Sequence, residues 1–505
     1  MRTPDRLGPD QLRRHADSRN ELGIAQSAME QGDDNRRRTN TRRRQHEVVF
    51  LSQESEGRSL SRSRLQLPRI VLLAVLLSGC AEANNPKSAD FAAWVSEEAI
   101  PLESLTAPLS AGATRTLQTA IGSARLIGIG ESRHDTREQL LMKSLLVRTL
   151  IERSQFRVLI LEESVPHVIA LDRYVTQGEG ELSELMNELA GWYLWDTEEM
   201  QATIAWVRRY NRTREPTDMV RIFGMDITAP LPGVREVLAR LEAAGVPSPV
   251  DAHSLRLGLQ EGDDWLQTQQ RYAALPATER AELARSYDRL IETLTRHQDE
   301  VVESSSESEY RQALSFAEVG RAGNAFFSSH DLREGGKIRE RAMADIALEI
   351  VHEVQSGKKA IIWAHNLHVA KGPFSMPALG EGTFGPMGVH LHDELGAQYL
   401  AIGGTFGNGG YGASLPPGER VFEIQEETVI DGALARVGLE HFWIDLRTAP
   451  DGGPAERWLH QNREWVAQDA AARLVPGQAF DLVYFVEQIT RSQPSSRSLL
   501  RFRDG

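Results

Sequence analysis

Four apolar runs each deliver ionisable side chains just past their ends. ARLIGIGE (124–131) ends in Glu131, and His134 follows three residues later. FRVLILEES (156–164) carries Glu162 and Glu163, VRIFGMDI (220–227) carries Asp226, and KKAIIWAHN (358–366) leads into His365 and His368. A carboxylate beside an imidazole fixes the ring's tautomer and lets the neutral ring take a proton from water. Glu131 and His134 are a candidate for that pair, although Asp135 and Thr136 next to them also read as the start of a capped helix. His365 and His368 share one side of a helical turn. That spacing suits metal binding, polarisation of a carbonyl or protonation of a leaving group, and the plain alternative is one active histidine and one surface histidine. Glu162 joins the candidates, whereas Glu163 reads as solvated. Asp226 serves a site or caps the turn after its strand. Arg339 and Arg341 fall on a helical pattern. They are solvated unless that helix closes over the site, in which case Arg339 binds substrate.

Other catalysts find no support. The sequence has no G-x-S-x-G elbow, no H-E-x-x-H, no P-loop and no G-x-G-x-x-G. Activated water is therefore the simplest reagent.

These residues need a frame that brings them together. The runs are short, continuous in apolarity and rich in Val, Ile and Phe, as in strands covered on both faces. AQYLAIGGTF (397–406) and DLVYFVEQ (481–488) add two more. Between them lie helical patterns at 137–153 and 197–211, the latter opening on Thr197, Glu198 and Glu199. Strand–helix alternation predicts an α/β fold with a mainly parallel central sheet flanked by helices. In such a sheet the carboxyl ends share one edge, so the candidates meet there. Residues 232–357 have almost no strand signal and read as a long helical insertion or lid, with helices at 281–298 and 337–354 and a loop at SSSESE (304–309). IGGTFGNGGYG (402–412) reads as a flexible glycine-rich loop near the sheet edge.

The 505 residues carry 57 Lys and Arg against 71 Asp and Glu, a net charge of −14, which argues against nucleic acid as a partner of the whole chain. The positive charge gathers early, in NRRRTNTRRR. Residues 1–66 lack hydrophobic periodicity and are expected to be disordered. Residues 67–80 read as a secretory leader. Arg62, Arg64 and Arg69 precede the run Ile70–Leu77, which is far too short to span a bilayer. Its ending, Leu77-Ser78-Gly79-Cys80, resembles the lipobox of bacterial lipoproteins, whose cysteine is acylated. The expectation is a protein held in the cell envelope by a lipid on Cys80. Ala81 in place of an aspartate points to the periplasmic side of the outer membrane. A leader opens its chain, so translation is expected to start downstream of the Arg-rich segment. Cys80 is the only cysteine, so neither an intramolecular disulfide nor a cysteine-based zinc site is expected. Residues 81–90 read as a tether, 91–495 as the catalytic domain and 496–505 as a tail.

The motifs, in order, resemble one family. GESRHDTREQ is similar to the G-E-x-x-H-G-T-x-E motif of the erythromycin esterases. LILEES resembles their second strand, LWDTEEMQATIAWVRRYN their W-x-T-x-E helix, and VRIFGMDI their F-x-G-x-D strand. IRERAMADIA resembles R-[DE]-x-x-M-A, WAHNLHVAKG resembles A-H-N-x-H, and FDLVYFVEQITRSQP their closing strand. The resemblance implies an α/β core and hydrolysis of an ester or macrolactone by water without a metal. By position, His134 is the base, Glu131 its partner, and Glu162, His365 and His368 its companions. Lys143 falls where the family often has a basic residue that serves substrate or oxyanion charge. Asp135 replaces a glycine and Arg133 adds a cation beside His134, which alters the entrance and the ester accepted. Lys143, Arg133, Asp226 and Arg339 make up the expected substrate-binding set. The expectation is a hydrolase of small esters or lactones with no cofactor. Two alternatives stand beside it: a metal-dependent hydrolase with Glu131, His134, His365 and His368 around a divalent ion, and a non-catalytic surface protein that binds a small ligand or metal in the same crevice.

Overall fold

Leu126–Ile129 and Lys359–Trp363 are apolar on both faces of their strands, and the fold covers both. The computed structural model describes residues 87–250, 265–329, 331–413, 418–423, 429–468 and 470–504, with Leu255 and Leu259. The Arg-rich segment, the leader with Cys80 and most of the tether lie outside the described residues.

In chain order the strands are β1 (Ile100–Pro101), β2 (Leu126–Ile129), β3 (Phe156–Ser164), β4 (Arg221–Asp226), β5 (Lys359–Trp363), β6 (Phe374–Ser375), β7 (Tyr399–Ala413), β8 (Gly418–Glu423), β9 (His441–Asp445), β10 (Arg463–Ala467), β11 (Ala470–Leu474) and β12 (Leu482–Ile489). The main sheet has the order β1-β9-β12-β7-β2-β5-β3-β4, with β8 paired to β7. From β12 to β4 every pairing on that path is parallel, while β1, β8 and β9 join antiparallel. The fold is α/β with a mainly parallel central sheet, as the sequence predicts. A smaller sheet pairs β10, β11 and β6.

Alternate residues of each strand bury opposite ways. Ile127, Ile129, Leu159, Leu161, Ile361 and Trp363 pack with the helices Arg137–Ser154 and Glu198–Asn211. Leu126, Val158, Ile160, Ala360 and Ile362 pack with Met343, Ala344 and Ala347 of the helix Leu332–Glu349. Each such large side chain contributes about 1.5–3 kcal/mol when fully buried, and the two layers cover the sheet on both faces. Thr197 caps its helix by accepting from the Met200 N–H at 3.3 Å.

Helices Leu231–Ala243, Ala277–Arg296 and Glu307–Ser328 enclose a core of their own around Val234, Val237, Leu290, Leu294 and Phe316. The next helix, Leu332–Glu349, returns to the main sheet, and Ile350–Val354 continue it as a π turn.

Some elements depart from the sequence reading. IGGTFGNGGYG is not a loop: it lies within β7, paired with β12 as far as Gly409 and with β8 from Asn408 onward. Its glycines are needed because side chains press on the strand. A Cβ at Gly403 would lie 3.0 Å from Phe480 and from Trp465. The stretch read as tether already enters a helix at Ser88, and the stretch read as tail forms the helix Ser496–Asp504, where Ser498 Oγ donates to Asp196 at 2.7 Å. β9 gives no sequence signal because HFWID holds only three consecutive apolar residues, Phe442, Trp443 and Ile444, between polar ends.

Candidate active site

Gly130 follows β2, and its lack of a side chain is a matter of space. A Cβ there would stand 2.9 Å from the Asn366 Cα. This close approach lets the Asn366 N–H donate to the Glu131 carbonyl at 2.8 Å, and the Tyr484 hydroxyl donates to the Gly130 carbonyl at 2.8 Å. The turn after β2 is thus clamped by residues following β5 and within β12.

Glu131 enters this clamp almost fully buried. Its Oε1 lies 2.8 Å from His134 Nδ1, and its Oε2 pairs with Lys143 Nζ. Lys143 comes from the helix Arg137–Ser154 and also donates to the Ala364 carbonyl at 3.0 Å. A carboxylate only accepts, so Nδ1 of His134 carries the hydrogen and Nε2 keeps its lone pair. No described residue hydrogen-bonds that Nε2.

β5 delivers the other imidazoles. His365 caps the turn Asn366–Val369: its Nδ1 accepts from the Leu367 N–H at 3.1 Å, so its Nε2–H donates to the Ser132 carbonyl at 3.0 Å. Its ring centroid is 5.1 Å from that of His134 and 6.3 Å from that of His368. The three rings therefore gather at one place. Glu162, at the end of β3, links them. Its Oε2 accepts from the His365 backbone N–H at 2.9 Å, and its Oε1 lies 2.9 Å from His368 Nε2.

Arg339 completes the cluster. Its guanidinium donates to Glu162 at 2.9 Å and to both oxygens of Asp226 at 3.1 and 2.8 Å. Asp226 also accepts from the Ile227 and Thr228 N–H groups, so it both caps its turn and holds the arginine. Beside Arg339 in sequence, Glu340 sets Oε1 2.7 Å from His368 Nδ1 and accepts from the Met387 N–H with Oε2 at 2.7 Å. His368 is thereby held between two carboxylates.

These contacts split the histidines into neutral and charged. Burial lowers His134 to about 4, with Glu162 opposing and His368, Arg339 and Arg133 adding to the fall. Burial likewise drives His365 well below its ordinary value, helped by His134 and His368. Burial also opposes the charge on His368, but Glu162 and Glu340 outweigh it and raise the ring to about 10. Burial would raise Glu162, yet His368 first, then His134 and Arg339, hold it well below the carboxylate range. At neutral pH the cluster presents an uncharged base beside a protonated imidazole and a guanidinium.

Of the residues singled out from sequence, Glu131, His134, Lys143, Glu162, Asp226, Arg339, His365 and His368 converge. Arg133 does not stand at an entrance: it is buried, with Nε 2.9 Å from Asp135. Glu163 is buried rather than solvated and accepts from the Ser164 and Gly191 N–H groups. Arg341 remains exposed and pairs with Asp345. Sequence reasoning gave no role to Glu340 or Asn366, though both sit inside quoted motifs next to residues it chose. Asn366 ties the site to β7 through Gly404, donating at 2.6 Å and accepting at 2.8 Å. Among the described residues no group of three or more His, Cys, Asp or Glu side chains is disposed to hold a metal ion, and both ring nitrogens of His365 are engaged.

Known proteins share this arrangement of elements. Erythromycin esterase type II of Escherichia coli is 24% identical over 391 residues, covering 72% of this chain and 90% of its own length. A crystal structure of a Bacillus cereus protein superposes with a TM-score of 0.66 at 22% identity, over 81% of this chain and 99% of that one. An erythromycin esterase mutant in its open conformation gives 0.61 at 20% identity, over 78% and 98%. At these identities the structures speak for the fold alone. The family model described as Erythromycin esterase matches residues 151–489, a range that takes in Glu162, Asp226, Arg339, His365 and His368 and begins after Glu131, His134 and Lys143. With well over half of its residues matched, the chain belongs to the erythromycin esterase family.

Proposed function

We propose that this protein hydrolyses a carboxylic ester, with a macrolactone as the favoured substrate, by water that His134 activates. One observation carries the reading: the 2.8 Å contact of Glu131 with His134 Nδ1, which leaves Nε2 free beside the His365 ring. Nε2 takes a proton from water, and the nascent hydroxide adds to the ester carbonyl. Glu131 lies against the imidazolium that forms. Arg339, whose Nη1 has no carboxylate partner among the described residues, offers a donor to the oxyanion, in a site where burial strengthens the attraction, while protonated His368 is held by Glu162 and Glu340 and positions the arginine and Glu162. The imidazolium then returns its proton to the departing alkoxide. General base catalysis of this kind contributes roughly 10²–10⁴ in rate.

The lactone preference rests on similarity to the Escherichia coli relative, an erythromycin esterase. The test is direct. Purified full-length protein is incubated with erythromycin, smaller lactones and simple esters, and products are followed by mass spectrometry. Gain of one water by at least one substrate, lost in His134→Ala, is expected. A panel without turnover, or full turnover by His134→Ala, overturns the proposal.

A further inference from the structure

A cavity of about 600 Å³ opens away from the candidate active site. It lies where edge strand β4 meets the start of the helix Val165–Thr176, the first turns of Glu307–Ser328 and the π turn after Glu349. Its volume is that of an ordinary small-molecule site. None of the catalytic candidates lines it.

The lining is apolar below and charged above. Val168, Ile222, Phe316 and Ile350 are buried parts of its wall, and Val354, a large apolar side chain left 46% exposed, borders it. Two of its charged pairs cancel internally: Arg221 with Asp172 at 2.6 Å and Arg311 with Glu307 at 2.9 Å. Glu349 and Glu353 are left over. Neither has a cationic partner among the described residues. Half-burial and the neighbouring charges of Glu318 and Glu353 push the Glu349 carboxyl above its ordinary value, so that carboxylate lacks a counter-charge. The backbone here is also irregular, and π turns inside helices recur at functional sites.

We infer that this cleft binds a hydrophobic organic cation, an ammonium group on a compact apolar body. The body replaces water on the apolar wall, and the ammonium stands between Glu349 and Glu353. A neutral analogue gains only the first of these, and an acid meets repulsion. The inference is independent of the hydrolase reading.

A matched series tests it on the full-length protein by calorimetry: 1-adamantylamine, 1-adamantanol and 1-adamantanecarboxylate share one apolar body. The amine is expected to bind about tenfold more tightly than the alcohol, which is one decade of Kd, and the acid not at all. In E349Q/E353Q the amine's advantage is expected to vanish while alcohol binding and ester turnover are unchanged. Equal binding of all three overturns the inference, as does an amine advantage that survives the double substitution. So does competitive inhibition of ester turnover by the amine, which would place it at His134. A dimer that sedimentation detects at assay concentration and that E349Q/E353Q disrupts would assign the cleft to a second copy of the chain and overturn it equally.

Discussion

Glu131 Oε1 lies 2.8 Å from His134 Nδ1, and the carboxylate is almost wholly buried while doing so. Its other oxygen is taken by Lys143, so the carboxylate is fixed at both ends and the imidazole cannot flip without breaking the contact.

Glu131→Gln keeps the shape but offers an amide that can donate to Nδ1, which favours the wrong tautomer. A fall in kcat of roughly 10²–10⁴ is expected, the range of the general base effect itself. KM should move little. Steady-state kinetics on any ester that the native protein cleaves decides the matter, and an unchanged kcat would remove Glu131 from the mechanism.

The pH profile of the native protein should be broad. The proposed mechanism needs neutral His134, lowered to about 4, and protonated His368, raised to about 10. The acid limb therefore lies below the ordinary imidazole value of 6.5 and the alkaline limb well above it. Glu340→Gln takes one carboxylate from His368, so its alkaline limb should move to lower pH while its acid limb stays. Rate profiles of the two proteins that overlay on the alkaline side would count against a charged His368.

Stability should follow the same groups. The unfolded chain protonates the imidazole of residue 134 near 6.5, whereas the native ring resists until about 4. At this site the unfolded state thus binds more protons in that interval, and the ring's contribution to native stability falls as pH drops through it. His365 is lowered too and acts in the same direction, whereas burial raises Glu163 and Asp431 to about 7, and these act the opposite way over the same range. The difference in slope between the native protein and His134→Ala, from denaturant melts at stepped pH between 7 and 4, isolates the ring's share, at most about 1.4 kcal/mol per pH unit. Parallel slopes for the two proteins contradict this.

Arg339→Lys should injure both rate and fold. One ammonium cannot reproduce the guanidinium's simultaneous contacts with Glu162 and Asp226. Removing the cation entirely, in Arg339→Ala, leaves buried carboxylates uncompensated at a cost of roughly 3–5 kcal/mol. The lysine variant should lie between native and alanine proteins in urea melts.

Gly130→Ala tests the clamp. The added methyl would press on Asn366, 2.9 Å from its Cα, so the chain around His365 must move. Overpacking of this kind costs about 1–3 kcal/mol, and kcat should fall further than KM changes. Native kinetics in this variant would show that the approach is not needed.

Much of the frame could be read from patterns of apolarity. β3 spans the stretch named for it, and β2, β4, β5 and β12 lie within or beside theirs, because strands buried on both faces advertise themselves. β7 announced only its first half, AQYLAIGGTF, because its glycine-rich continuation carries no apolar run, and β9 offers just three apolar residues in succession, so neither carries the whole signal. The site divided in the same way. Side chains at strand ends were visible, since a parallel sheet puts them on one edge. Glu340 was not, since a helix surface offers many carboxylates, and only the tertiary fold shows which of them reaches His368.

The clamp also bears on how the protein matures. Tyr484 meets Gly130 at a separation of 354 positions along the chain, and Arg339 meets Glu162 at a separation of 177. Contacts that close such long loops form late. A ribosome-bound or C-terminally clipped chain can therefore hold nearly all its helices while remaining inert. Recovery of turnover during refolding, rather than recovery of circular dichroism, marks arrival at the native state.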